Sequence, residues 1–214
     1  MINVLLSSYD IHEPWAKETI EPLLHKNMKV LYIPFSFDQS DMKNHETFEQ
    51  RRQMHEEGIF RPFHYYGIDD IDFIDYFYDN HETAIDKIQK SDIIFLTGGF
   101  PDQYLARLNE FKISDTIKNS DKIIIGASAG AMIQLDNYHI TPDDDYPTYQ
   151  YQDGLGLVSG FEIEVHYCHS DIQEAGLKRV IKEKHLPTYT IPNDGGLLIK
   201  DQQMETFGTA ALVK

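Results

Sequence analysis

Apolar runs of strand length alternate with helical stretches from residue 2 to residue 135, and this alternation constrains the fold most strongly. The runs predict strands at residues 2–7, 28–34, 71–77, 92–97 and 122–125. The stretches between and after them predict helices at residues 14–25, 41–57, 83–90, 101–108 and 129–135. Strands that alternate with helices imply a mostly parallel sheet with helices on both faces, so we predict an α/β fold.

The second half of the chain has a less regular pattern. Residues 137–152 are aromatic and acidic, and we expect a loop or hairpin at the surface there. The later patterns predict a strand at 161–167, a helix at 172–184 and closing strands at 188–192, 196–199 and 205–213. Because no repeat and no Pro/Gly/Ser-rich linker interrupts the chain, we expect one domain over residues 1–214.

Charge and cysteine content narrow the class of protein. The 214 residues carry a formal net charge of −16, which argues against nucleic acid and membrane surfaces as partners because both require basic surfaces. The one cysteine, Cys168, excludes an intrachain disulfide and is typical of a reducing cytoplasm. The opening residues, MINVLLSSYDIHEPW, lack a basic segment, so we expect a first strand rather than a signal peptide, and a cytoplasmic location.

The strand at 122–125 leads into Gly126-Ala127-Ser128-Ala129-Gly130, where no side chain is larger than a hydroxymethyl group. One interpretation is a tight strand-to-helix turn in which Ser128 caps the helix. The other is a G-x-S-x-G nucleophile elbow, which presents a serine hydroxyl at the top of a parallel sheet. Ligands of such sheets bind beyond the carboxyl ends of the strands, so Ser128 is a candidate nucleophile.

A serine nucleophile needs a base, and the chain has ten histidines. His166 and His169 stand at the end of the predicted strand at 161–167, where a side chain can meet a serine at a neighbouring strand end. The sequence HYCH also suggests zinc, but its ligands are adjacent and no second Cys/His pair follows. We therefore expect no metal site.

The base needs an orienting carboxylate, and the reaction needs two N–H donors for an oxyanion. The backbone amides of Gly99 and Ala129 are candidate donors because both follow predicted strands. Carboxylates occur in the loop at residues 143–145 and at Asp194, in TYTIPNDGGLLI. The strand-end position favours Asp194, although aspartates in both places are typical of turns.

Four segments, in order, carry a resemblance to a known family. DIIFLTGGFPDQYLARL resembles its strand, glycine loop and glutamine-bearing helix, and GASAGAMI resembles its nucleophile elbow. GLGLVSGFEIEVHY resembles the segment with its catalytic histidine, and TIPNDGGLLI the segment with its acidic third residue. Together the segments run from about residue 92 to residue 200 and resemble peptidase family S51, the serine peptidases that include aspartyl dipeptidase (dipeptidase E) and cyanophycinase.

The resemblance implies a flavodoxin-like fold related to the class I glutamine amidotransferases, with a serine where those enzymes keep a cysteine. It implies Ser128 as nucleophile, His166 rather than His169 as base, and Asp194 as orienter. An aspartate after the elbow has also been given the orienting role in the family, which makes Asp145 the alternative.

The resemblance also implies an oxyanion hole formed by the amides of Gly99 and Ala129. It implies a serine-type peptidase that acts on small peptides. We expect a monomer or homodimer and no cofactor.

Departures from the family pattern fall where specificity is set. Asp stands where the family commonly has Glu at the third position, and Phe100 stands where the dipeptidase has Asn. Gln173 and Glu174 lie near the place of a basic residue suited to an aspartyl side chain, so we do not expect aspartyl specificity. An apolar pocket could instead be lined by tyrosines of the loop after the elbow, namely Tyr146, Tyr149 and Tyr151.

Two other function classes remain open at this stage. An esterase of the α/β-hydrolase type shares the elbow but has its histidine near the chain end, after the acid. The last histidine here is His185, and the three strand-like segments after it carry none, which counts against an esterase. A catalytically silent binding protein could also keep this fold.

Overall fold

The computed structural model of the protein describes residues 1–213. Its strands are β1 (Ile2–Leu6), β2 (Lys29–Ile33), β3 (Asp70–Phe73), β4 (Ile93–Leu96), β5 (Ile123–Ala127), β6 (Asn137–Ile140), β7 (Gln150–Asp153), β8 (Glu162–Val165), β9 (Thr188–Ile191), β10 (Gly195–Lys200), β11 (Gln203–Gly208) and β12 (Ala211–Leu212). The main sheet has the order β11-β10-β1-β5-β4-β2-β3. Strands β1 to β5 run parallel to one another, whereas β10 and β11 add an antiparallel edge.

Helices cover both faces of the main sheet. They are α1 (Pro14–Ile20, followed by a 3-10 turn at Glu21–Leu23), α2 (His45–Tyr65), α3 (His81–Lys90), α4 (Pro101–Glu110), α5 (Ser114–Lys118), α6 (Ala129–Met132) and α7 (Asp171–Lys184). Successive residues of β5 point to opposite faces. Ile124 joins the core that contains Tyr104 of α4, and Ile125 joins the core that contains Phe63 of α2. The predicted fold, a mostly parallel α/β sheet covered on both faces, is confirmed.

Among the predicted helices, the bounds of α2 differ most from the prediction. Helix α2 was expected at residues 41–57, but it begins after Asn44, whose side chain accepts from the N–H of Thr47, and it continues through Pro62. Pro62 is buried, so packing against the sheet extends the helix past the point where the sequence pattern ends. Helix α5 was not predicted. Within residues 1–213 the structure has no helix that is both long enough and apolar enough to cross a bilayer.

The second half of the chain adds two small sheets. Strand β9 was expected to help close the main sheet, but it lies between β8, to which it is parallel, and β12, to which it is antiparallel. Strands β6 and β7 form the expected hairpin, yet its first strand is buried, with Tyr138 at 1% and His139 at 2% exposure. His166, the candidate base, follows β8 of the three-stranded sheet, whereas Ser128 follows β5 of the main sheet.

Candidate active site

Ser128 lies on a strained turn between β5 and α6. Its φ of 54° and ψ of −117° are unusual for a residue with a Cβ atom, and its side chain does not cap the helix. The turn brings Gly130 so close to β4 that a Cβ there would lie 2.1 Å from the carbonyl oxygen of Leu96. Ser128 is therefore not an ordinary helix cap, and a strained strand-to-helix turn of this kind is the geometry that a nucleophile elbow requires.

His166 follows β8 directly and also has a positive φ, 52°. Its ring Nδ1 lies 2.8 Å from the side-chain oxygen of Asn193. Asn193 lies in a turn closed by a 3.1 Å hydrogen bond from the N–H of Gly195 to the carbonyl of Pro192. Because an amide oxygen can only accept, Nδ1 carries the proton, and a neutral ring then keeps its free lone pair on Nε2.

The structure brings neither predicted orienter to His166. Asp194 is the next residue of the same turn, and its carboxylate accepts from the hydroxyl of Thr209 at 2.5 Å. Asp145 is exposed, and its backbone N–H donates within its own loop. Two successive side chains of a turn point in different directions, so the turn that aims Asn193 at His166 aims Asp194 away. Sequence reasoning missed Asn193 because it looked for a carboxylate.

Two backbone N–H groups near the turn that carries Ser128, those of Gly99 and Ala129, are free to donate. Gly99 has a φ of 144°, and a Cβ there would lie 2.3 Å from the carbonyl oxygen of Ser36, so the position requires glycine. The N–H of Phe100 donates to the same carbonyl at 2.7 Å and fixes the loop. Over residues 1–213, no acceptor takes up the N–H of Gly99 or of Ala129, the first residue of α6.

A single cavity of about 410 Å³ borders the Ser128 turn, the glycine loop and His166. Gly99, Ser128 and His166 all line it. Its other walls come from the hairpin strand β6 with the loop that follows it, from β8 and from the start of α7. The volume is typical of a small-molecule site. Ser128, His166 and the glycine loop, which the sequence placed at separate strand ends, thus border one space.

The wall of this cavity is acidic. Its carboxylates are Asp143, Asp144 and Glu164, and none of the lysines and arginines within residues 1–213 lines it. Arg179 lies instead over the ring of Tyr149, with 4.2 Å between the guanidinium carbon and the ring centre. His139 also lines the cavity, but both of its ring nitrogens are already bound by glutamates, so the cavity has no free cation for a buried substrate carboxylate.

Gln173 lines the cavity and braces the turn that carries His166. Its side-chain nitrogen donates to the carbonyl of His166 at 3.1 Å, and its oxygen accepts from the N–H of Cys168 at 2.9 Å. The neighbouring Glu174 accepts from the hydroxyl of Tyr167. Both residues near the family's basic position thus serve the local turn.

The three tyrosines of the loop after the elbow do not all line the cavity. Tyr146 lines the cavity, donates to Asp102 at 2.5 Å, and has its ring centre 6.0 Å from that of Phe100. Tyr149 and Tyr151 face α7 instead. The predicted aromatic lining therefore reduces to Tyr146.

A buried charged network in the wall of the cavity was not predicted. His139 lies between two glutamates of β8, with Nδ1 2.9 Å from Glu162 and Nε2 2.9 Å from Glu164. Thr141 donates to Glu164 at 2.7 Å, and the ammonium of Lys184 pairs with Glu162. Both imidazole nitrogens donate, so the ring is an imidazolium. Burial disfavours that charge, but the hydrogen bonds to the two glutamates outweigh burial and raise the pKa of His139.

The HYCH stretch is engaged in local contacts. His169 Nδ1 lies 2.9 Å from the hydroxyl of Tyr167, and Cys168 is a free, exposed thiol. In the part of the chain that the structure describes, no group of three or more His, Cys, Asp or Glu side chains is arranged to hold a metal ion.

The chain is similar to known proteins along nearly its whole length. The model of Peptidase family S51 matches residues 4–207. A candidate peptidase E protein from Listeria monocytogenes EGD-e has a TM-score of 0.69 at 21% identity, covering 100% of this chain and 98% of that one. A peptidase from an acI-B1 Actinobacterium has a TM-score of 0.63 at 15% identity, covering 100% and 90%. No curated protein sequence matches the chain significantly. At these identities the two structures show the shared fold.

Proposed function

The chain belongs to peptidase family S51 and is a serine peptidase, and from this premise we propose that it hydrolyses small peptides. Ser128 is the nucleophile, His166 the base, and Asn193 the residue that orients the base. The observation that carries the proposal is the hydrogen bond between His166 Nδ1 and Asn193, beside a cavity that Ser128 also lines. Papain-like proteases use His and Asn in the same two roles.

Acylation starts from the neutral imidazole. Nε2 of His166 takes the hydroxyl proton of Ser128 as Oγ bonds to the carbonyl carbon of the peptide. The carbonyl oxygen becomes an oxyanion, to which the free N–H groups of Gly99 and Ala129 donate. The imidazolium then gives its proton to the amide nitrogen, the C–N bond breaks, and the amine product leaves an acyl-enzyme.

Deacylation repeats these steps with water. His166 Nε2 takes a proton from water as the water oxygen bonds to the acyl carbon. The second tetrahedral species collapses, Oγ leaves, and the imidazolium returns the proton to Ser128. The acid product departs, and both side chains regain their starting protonation states.

The acidic wall limits the substrate class. We propose that the enzyme has no strong preference for an aspartyl residue on the acyl side of the scissile bond. A buried carboxylate without a partner costs several kcal/mol, and a net charge of −16 opposes an anionic substrate at range. Tyr146, which lines the cavity, instead offers aromatic surface to an apolar side chain.

The proposal also covers the cellular compartment, the partners and the oligomeric state. The free, exposed thiol of Cys168 is typical of a reducing compartment, so we assign the peptidase to the cytoplasm. Its net charge of −16 argues against nucleic acid and membrane surfaces as partners. We assign a monomer or homodimer. Family membership removes the α/β-hydrolase alternative.

A fluorophosphonate probe combined with hydrolysis of a leucyl dipeptide tests the catalytic proposal. Wild-type protein should be labelled at Ser128, and Ser128→Ala should escape labelling and lose on the order of 10⁶ in kcat. Ser40→Ala, the same change at an exposed site, is the matched control and should behave as wild type. Failure of the wild-type protein to label and to hydrolyse peptides, or near-normal turnover by Ser128→Ala, contradicts the proposal.

A further inference from the structure

We infer that the four consecutive residues at the carboxyl end of β1, residues 6–9, form a positioning segment for the catalytic groups. The inference rests on the proposed function. Each residue of the segment holds a different part of the site. Leu6 holds the nucleophile, because its carbonyl accepts the N–H of Ser128 at 2.8 Å.

Ser7 holds the base. Its hydroxyl accepts the backbone N–H of His166 at 2.8 Å and donates to the carbonyl of Ile191 at 2.5 Å. Ser7 is 3% exposed, so water cannot replace either bond. One hydroxyl thus ties the residue after β8 to the last residue of β9, just before the turn that presents Asn193.

Ser8 and Tyr9 hold the remaining two parts. The hydroxyl of Ser8 donates to the backbone carbonyl of Asn193 at 2.7 Å. The hydroxyl of Tyr9 accepts the N–H of Gly98 at 2.8 Å, next to the free amide of Gly99. The Tyr9 ring is fixed by an edge-to-face contact with Phe95, with ring centres 5.3 Å apart.

The sheet arrangement explains why such a segment is needed. The nucleophile follows β5 of the main sheet, whereas the base and its partner follow β8 and β9 of a small sheet. No ladder of hydrogen bonds joins β5 to β8, so none sets the distance between Ser128 and His166. Strand β1 is paired in register with β5, Leu6 opposite Ala127, and its next residues bond to the small sheet. Small displacements of catalytic groups can lower rates by about 10²-fold.

Three variants test the segment: Ser7→Ala, Ser8→Ala and Tyr9→Phe, with Ser40→Ala as the control. Each test variant should lower kcat for the leucyl dipeptide by about 10- to 100-fold with KM within about twofold, because positioning acts on the transition state. The control should retain wild-type kcat. If Ser7→Ala does not fold, Ser8→Ala and Tyr9→Phe, at partly exposed positions, decide the outcome.

A double-mutant cycle separates positioning from general stability. Ser8→Ala should lower kcat in the wild-type background but have no further effect on kcat in Asn193→Ala, whereas its effect on Tm should be the same in both backgrounds. Equal effects on kcat in both backgrounds overturn the inference for Ser8.

A readout that does not need turnover keeps the inference distinct from the proposed function. The Nδ1 proton of His166, assigned by its loss in His166→Gln, should give an NMR signal that broadens or disappears in Ser7→Ala and Ser8→Ala. If wild-type protein shows no peptidase activity but these variants lose the signal, the proposed function fails and the positioning inference stands. An unchanged signal in both variants, or kcat at the wild-type level in all three, overturns the inference.

Discussion

His166 Nδ1 lies 2.8 Å from the side-chain oxygen of Asn193, and that partner is a neutral amide rather than a carboxylate. An amide can hold the ring in one tautomer and orientation. It stabilises the imidazolium of the transition state less than a carboxylate does, because it carries no net charge. The pair therefore supplies orientation more than charge.

Asn193→Ala should lower kcat by on the order of 10²-fold, because the ring of His166 loses its orienting bond. Asp194→Ala, a change at the next residue of the same turn, is the matched control and should leave kcat close to wild type. Steady-state hydrolysis of a leucyl dipeptide measures both. A loss in Asp194→Ala as large as that in Asn193→Ala would return the orienting role to Asp194.

Among dipeptides that begin with Asp, Asn, Leu or Phe, the one that begins with Asp should have no large advantage in kcat/KM. The cavity wall offers Asp143 and Asp144 but no lysine or arginine from residues 1–213, and its His139 is already bound by two glutamates, so a substrate carboxylate finds no free cation there. The measurement is kcat/KM for the matched series. An advantage for Asp of about 100-fold, about 2.7 kcal/mol of transition-state discrimination, is incompatible with this expectation.

Gly130→Ala should destabilise the protein by about 1–3 kcal/mol or prevent folding, because its Cβ would lie 2.1 Å from the carbonyl oxygen of Leu96. Gly58→Ala is the contrasting control. A Cβ at Gly58, inside α2, meets nothing closer than 3.7 Å, so this change should stabilise by up to about 1 kcal/mol. Urea unfolding measures both changes, and equal signs would contradict the elbow geometry.

His139→Gln should destabilise the protein by about 3–5 kcal/mol at acidic pH, because it leaves Glu164 buried without a cation and Glu162 with Lys184 alone. The pKa of His139 is raised above its ordinary value of 6.5. A raised pKa gives stability that is fully present below about pH 6.5 and is lost as pH rises through the folded-state pKa.

Urea unfolding across this range should therefore show the largest gap between wild type and His139→Gln at acidic pH, and a smaller gap at alkaline pH. His25→Gln, at an exposed position, is the control and should show no such trend. A gap that widens with rising pH would show that His139 is neutral in the folded protein.

Local sequence patterns predicted the parts of this fold that depend on local order. The isoleucines of β5 and the small residues after them indicated a buried strand and a tight turn, and both occur. Pairing between distant strands has no such local signal. The alternation at residues 161–167 fits an edge of the main sheet as well as a separate sheet, so the small sheet of β8, β9 and β12 could not be predicted.

In the candidate site, too, the sequence predicted what depends on local order and missed what depends on three-dimensional arrangement. Ser128, His166 and Gly99 line one cavity, as their strand-end positions suggested, although their catalytic roles remain predictions. The choice between Asn193 and Asp194 depends on the direction of two side chains in one turn, which the sequence does not encode locally. The alternating glutamates of FEIEVHY were the available signal for the His139 network, because a buried strand rarely carries two carboxylates without a partner.

The hydroxyl of Ser7 and the carbonyl of Ile191 that it meets are 184 residues apart in the chain. Contacts between residues so far apart form slowly, because closing a long loop costs entropy before the contact is gained. The hydrogen bond from Ser7 to Ile191 can form only after residue 191 has been synthesised and folded back against β1. The geometry that brings His166 next to Asn193 therefore depends on contacts between distant parts of the chain, and a change far from the cavity in sequence can disturb it.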